Sequence, residues 1–228
     1  AAFQVYSLLL SITSIGVPSA ISKLVAERVA VGDHKGAYKI FKVSLILFSI
    51  IGIIGSYFLF EMSKTIANNV IGMPEVELSL IALSPSIFLV SIISVYKGYF
   101  NGREKMSVTA KAQSYDQLTK TFITILIIEI STVISKITNT AIIASMANLA
   151  TTIANIIEFG YLYKFFRKEF SEIRYEIRIS VNYKPVRTLK TIKDIIFTAM
   201  PMSLAPFIKK KKKNIDSTTI IDGLQNSM

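Results

Sequence analysis

Four stretches of this chain carry no charged residue over close to the thickness of a lipid bilayer, and nothing else restricts the fold as much. They run from Ala1 to Ser22, Val43 to Phe60, Leu78 to Tyr96 and Thr138 to Ile157. A spanning helix needs roughly 20 apolar residues to cross about 30 Å of hydrocarbon. Within that hydrocarbon each backbone N–H and C=O must find a partner inside the chain, so only helices and closed barrels survive. Continuous apolar runs lack the two-residue alternation of a barrel strand. The expected fold is all-α, a polytopic bundle of membrane helices. A fifth helix, from about Ser107 to Ser135, is more polar, with only Thr121 to Ile128 fully apolar. A sixth starts near Lys190 and runs through Ile195 to Ile208, where it meets Lys209 to Lys213.

The basic residues give these spans a direction. The formal net charge is +11, which by itself would suit nucleic acid. Lys and Arg, however, number 5 in residues 23–42, 1 in 61–77, 5 in 97–120, 1 in 129–137 and 9 in 158–194. Basic residues concentrate on the cytoplasmic side of membrane proteins, and this alternation is the pattern of five successive crossings. The charge is thus read as topology, and no nucleic-acid partner is expected. The first helix then runs from outside to inside. With no Met at Ala1, the expectation is that one span precedes the sequence.

Polar residues inside the spans come next. Gln4, Ser7, Ser11 and Ser14 share one face of the first span ahead of Gly16-Val17-Pro18, and both helix packing and cavity lining fit that face. Gly52 with Ser56, and Ala144 with Ala147 and Ala150, read as close helix-packing seams. Pro85 interrupts the third span. Gln113, Asp116, Gln117, Lys120 and Thr124 form one stripe of the fifth helix at i, i+3/i+4 and i+7 spacing. Asp116 and Lys120 can pair at i, i+4. Ionisable residues within a span face a wet cavity or a partner; a position in the interface, where charge costs little, is equally open. Asn148, Thr152 and Asn155 repeat the pattern before Glu158, with interhelical hydrogen bonding slightly favoured.

Several chemistries are excluded. There is no cysteine, and His34 is the single histidine, so disulfides, thiolate sites, histidine triads and multi-histidine metal sites are ruled out. Gly32-Asp33-His34-Lys35-Gly36 lacks the spacing of a phosphate-cradling loop and reads as a helix stop and turn. No catalytic residue, metal or cofactor is expected. A membrane glycosyltransferase would need clustered acids or a histidine at a membrane face. From Ser171 to Arg187 apolar and charged residues alternate, and strand and surface helix both fit.

Two stretches carry a family resemblance. Gly16-Val17-Pro18-Ser19-Ala20-Ile21-Ser22-Lys23-Leu24-Val25-Ala26-Glu27, followed by Gly32-Asp33, resembles the second-helix signature of the stage V sporulation protein B and lipid II flippase group. That group lies in the multidrug/oligosaccharidyl-lipid/polysaccharide exporter superfamily. Lys97-Gly98-Tyr99-Phe100-Asn101-Gly102-Arg103-Glu104-Lys105-Met106, then Thr109-Ala110, Gln113 and Asp116-Gln117, resembles its Arg-Gly-Tyr-Phe-Gln-Gly stretch and following Glu-Gln pair. Here Lys97 and Asp116 are substituted. Pro201 and Asn214-Ile215-Asp216-Ser217 are similar to the start of its seventh helix.

The resemblance implies two six-helix lobes around a cavity open alternately to either side, of which this chain supplies an N-terminal lobe lacking its first helix. That lobe would occupy 1–168, with helices at about 1–31, 40–62, 78–100, 107–135 and 138–168. A basic cytoplasmic connector would follow at 169–193, then the start of the second lobe at 194–228. Lys209 to Lys213 interrupt it, since a lysine at the bilayer centre costs about 2.5–3.5 kcal/mol. The implied activity is transport: flipping a lipid-linked precursor such as an undecaprenyl-diphosphate glycan, with a coupling cation or the membrane potential as driving force. The expected place is the bacterial cytoplasmic membrane, crossed several times. Lys23, Arg28 and Lys97 are candidates for attracting the diphosphate, and Gln113, Asp116, Gln117, Lys120, Asn148 and Asn155 for lining the route. Asp116 or Asp216 would couple a cation in the alternative, a drug exporter of the same superfamily. A non-functional gene fragment is the remaining reading.

Overall fold

A computed structural model describes residues 16–130, 140–181 and 187–199. Its elements in order are α1 (Gly16–Ala30), α2 (His34–Thr65), α3 (Glu77–Gly102), α4 (Met106–Glu129), α5 (Thr140–Arg178) and a final helix α6 over 188–199. No strand occurs among the described residues, and the architecture is the all-α membrane bundle expected from the charge-free runs. Two of the described helical segments, His34–Asn69 and Pro74–Gly102, are both long and apolar enough to cross a bilayer.

The α1–α2 turn forms because Gly32 adopts φ 73°, a region that costs other residues strain. Asp33 then caps α2, its carboxylate accepting the Gly36 N–H at 2.7 Å. The cap moves the start of α2 to His34, ahead of the expected 40. At its far end α2 passes into a π-turn, Ile66–Ile71, which Gly72 stops at φ 71°.

α3 is the axis of the bundle, with α1, α2 and α5 packed around it. Gly98 and Gly102 let α1 lie directly against it. A Cβ at Gly98 would sit 2.8 Å from Ile21 Cβ, and one at Gly102 would sit 2.7 Å from Val25 Cβ. Gly52 of α2 makes a similar close approach to Ser91 and Phe88 of α3, the seam expected there. Pro85 deprives the Ile81 carbonyl of its helical donor. The Ser84 hydroxyl replaces it at 2.9 Å. Beside the break, Thr152 of α5 donates to the Ala82 carbonyl at 2.8 Å and meets the Ser86 hydroxyl at 2.7 Å.

The core lies at the end of the bundle that carries the α1–α2 and α3–α4 turns, here called the basic end. Phe41 of α2, Tyr96 and Tyr99 of α3 and Phe166 of α5 form a buried aromatic cluster, with the Phe41 ring 4.6 Å from Tyr99 and 5.1 Å from Phe166. A smaller cluster of Leu59, Ala67, Leu80, Leu83 and Ile87 closes the opposite end. Outward, Ile46, Ile50, Ile53, Ile54 and Phe58 of α2 are exposed, a surface that suits lipid rather than water.

α5 differs from the sequence expectation. The stretch beginning at 169, assigned to a connector, continues as helix to Arg178, and the undecided segment from Ser171 is helical that far. The cause is packing at helical spacing: Phe166, Phe170, Ile173 and Ile177 all join the core. Pro201, Lys209 to Lys213, Asp216 and Gln4 to Ser14 lie outside the described residues.

Candidate functional site

Two apolar runs end in charges of opposite sign, and the fold brings those charges together. Lys97 follows the run of α3, and Glu158 follows the run of α5. Lys97 Nζ lies 2.7 Å from Glu158 Oε1, with the Glu158 side chain only 5% exposed. Asp116 of α4 lies within electrostatic range of both, and Lys120, one turn further along α4, within range of Asp116. Three helices thus contribute to one half-buried set of two cations and two anions. Leaving a charge alone in such a place costs several kcal/mol, about 3–5 when one partner of a buried pair is removed.

The α5 wall of this set is polar. Asn155, one turn before Glu158, is buried and its Nδ2 has no hydrogen-bond partner among the described residues. Asn148 lies two turns earlier, half-buried. Between them Thr152 is committed to the α3 break, the interhelical role favoured for it. Buried amide groups are as a rule hydrogen-bonded, so this Nδ2 marks a polar position on the α5 wall.

The α4 stripe divides by depth. Asp116, Lys120 and Thr124 are half-buried, whereas Gln113 and Gln117 are exposed, Gln117 Nε2 reaching Asp116 Oδ2 only at 3.4 Å. Lys23 of α1 is exposed. Arg28 forms an ion pair with Asp33 at 2.8 Å, at the α1–α2 turn. The structure therefore unites Lys97, Asp116 and Lys120, puts Asn148 and Asn155 on the helix of Glu158, and leaves Lys23 and Arg28 on α1. Glu158 was not among the site candidates. Its signal was in the sequence as the lone acid closing a charge-free run, matching the lone lysine that closes another.

A second set of charges, also missed, belts the basic end. Arg103 donates to both Glu176 oxygens, at 2.9 and 2.7 Å, and His34 Nδ1 lies 3.5 Å from the same carboxylate. Lys105 pairs with Glu169 at 2.7 Å and reaches Glu172 at 3.8 Å. The backbone adds Val181 N–H to the Gly32 carbonyl at 3.1 Å and Lys35 N–H to the Ser180 hydroxyl at 3.0 Å. Both turns of the basic end are thereby fastened to the extension of α5. No group of three or more metal-ligating side chains occurs among the described residues.

With this geometry in place, comparison with known proteins is informative. Stage V sporulation protein B of Bacillus subtilis is 31% identical over 110 residues, which are 48% of this chain and 21% of that protein. Lipid II flippase MurJ of Bacillus subtilis is 26% identical over 126 residues, 52% of this chain and 23% of that protein. The matched region thus spans less than a quarter of either relative. No solved structure gives a significant match. The model of the family described as polysaccharide biosynthesis protein matches residues 1–223 of the 228, and the chain belongs to that family.

Proposed function

We propose that this chain forms part of a transporter that flips a lipid-linked polysaccharide or cell-wall precursor, of lipid II type, across a bacterial cytoplasmic membrane by alternating access. The basic end faces the cytoplasm. The observation that carries the proposal is the Lys97–Glu158 pair with Asp116 and Lys120 beside it, held among helices whose outer surfaces suit lipid. Family membership and the name of the flippase relative support the same reading.

The physical task is to carry a diphosphate past hydrocarbon that it cannot enter without a large loss of hydration. A polar, partly cationic surface substitutes for water while the lipid tail stays in the membrane. In this scheme Lys97 and Lys120 attract the diphosphate, Asn148 and Asn155 offer amide donors, Gln113 and Gln117 line the approach, and Lys23 and Arg28 add positive potential at the cytoplasmic side. Asp116 and Glu158 keep the lysines in place when no cargo is bound. No bond is made or broken, so no catalytic group is invoked.

Reconstituted vesicles test this. A fluorescent undecaprenyl-diphosphate sugar should reach the opposite leaflet faster with the protein than without it. Phosphatidylglycerol should gain little, and Lys97→Gln should remove most of the difference. Equal movement of both lipids, or of neither, would overturn the proposal. Asp116 gives the cation-coupled exporter its own support, and dye efflux driven by a sodium or proton gradient without glycan-lipid movement would select that alternative.

A further inference from the structure

The extension of α5 beyond the apolar run is sorted by the sign of its charges. At 100° per residue, Arg167, Arg174 and Arg178 fall within about 40° of one another, whereas Glu169, Glu172 and Glu176 lie about 180° away. The acids face inward to Lys105, Arg103 and His34. The arginines face out, exposed, and none has an acidic partner among the described residues. Together with Tyr163, Phe166, Phe170, Ser171 and Tyr175 of the same helix they line an open pocket of ≈ 720 Å³, here called the groove.

We propose that this groove is a landing site for the diphosphate headgroup of a lipid-linked sugar, engaged before the cargo enters the membrane part of the protein. The inference rests on the transport reading above and gives it a cytoplasmic entry point. Three observations on the groove support it. First, arginine forks bind phosphate oxygens in pairs, and Arg174 and Arg178 stand one helical turn apart, about 6 Å along the axis, so their flexible side chains can converge on one diphosphate. Second, the groove starts at Tyr163, near the end of the apolar run where tyrosines mark a bilayer surface. It extends about 22 Å along the helix to Arg178. A ligand anchored by its tail in the membrane, with an elongated polar head, fits that course better than a short phospholipid headgroup does. Third, Tyr163 and Tyr175 are exposed beside the arginines, offering aromatic faces to the apolar side of a sugar ring. Arg174, already stacked on Phe170 at 5.0 Å, is held with its guanidinium presented.

The 228-residue protein in phosphatidylcholine nanodiscs provides the test. It is titrated with undecaprenyl diphosphate and, separately, with phosphatidylglycerol, and binding is read from tyrosine fluorescence. The triple change Arg167→Gln, Arg174→Gln and Arg178→Gln should raise the Kd for the diphosphate about tenfold or more. Phosphatidylglycerol binding should not change, and inorganic pyrophosphate should compete. Lys168→Gln, one residue from Arg167 but off the stripe, should behave as wild type. Changing the three arginines to lysine keeps the charge and loses the fork, so the Kd should fall between. That variant also decides the matter should the glutamine triple fail to insert. Equal diphosphate binding by wild type and the triple variants would overturn the groove while leaving transport intact. Equal loss for both lipids would mark a general anionic-lipid surface and also overturn it. A wild type that binds no diphosphate would overturn the transport reading along with the groove.

Discussion

The Lys97–Glu158 pair at the centre and the belt at the basic end both join residues 97–105 to α5, yet they differ in what surrounds them. Lys97 meets a carboxylate that is 5% exposed, between helices bounded by hydrocarbon-like surface. Arg103 and Lys105 meet carboxylates that are 15–58% exposed, of which Glu176 is shared by Arg103 and His34 and the other two share Lys105. Burial raises the cost of an unpaired charge and removes water as a substitute partner; exposure lowers both. The central pair is consequently suited to exchanging one partner for another only when a new charge arrives. The belt behaves as a set of redundant fasteners.

Breaking each set singly tests that contrast. Lys97→Met should have the largest effect, a loss of about 3–5 kcal/mol from leaving Glu158 buried alone. Lys97→Met with Glu158→Met should recover most of it. Thermal unfolding in detergent measures both, and additive losses would show the two residues to be uncoupled. Next comes Gly98→Leu, which drives a side chain into Ile21 and the Pro18 carbonyl and should cost about 1–3 kcal/mol by overpacking. Because α1 carries the α1–α2 turn, this change should also loosen the belt, seen as faster proteolysis after Arg174 or Arg178.

Arg103→Ala should cost less, about 2 kcal/mol, since the Glu176 carboxylate it leaves is 23% exposed and keeps His34 beside it. A loss as large as that from Lys97→Met would erase the distinction drawn between the two regions. Smallest in stability is Asp116→Asn, about 0–1 kcal/mol, because Lys97 keeps its Glu158 partner and the amide fills the same space. Its transport rate should nevertheless fall, and normal transport at normal abundance would make Asp116 an interfacial residue without a part in the route.

How far these regions could be read from residues alone depends on what kind of pattern each uses. The membrane core was legible because a missing charge over twenty residues has one physical meaning. The α5 extension was not, because its helix is sorted by charge sign around a narrow apolar strip. Read in order from Ser171, its apolar and charged residues alternate in a way that fits strand and surface helix alike. Lys97, Asp116 and Lys120 were visible as charges out of place. Their convergence on Glu158 was not, because it depends on how α4 and α5 cross, which no local spacing encodes. Arg28 illustrates the reverse: a cation near a cytoplasmic helix end suggested a diphosphate contact, and its partner Asp33 lay five residues away.

The mended break at Pro85 has a mechanical consequence. Thr152 bonds to both the Ala82 carbonyl and the Ser86 hydroxyl, so α5 is keyed to α3 at one register. Sliding either helix by a turn would strand two hydroxyls in a dry interior, at about 1–3 kcal/mol each. The pair therefore resists shear. Under the alternating access proposed above, rocking would carry α3 and α5 together as a single beam, with the bending placed in the joints on either side of it.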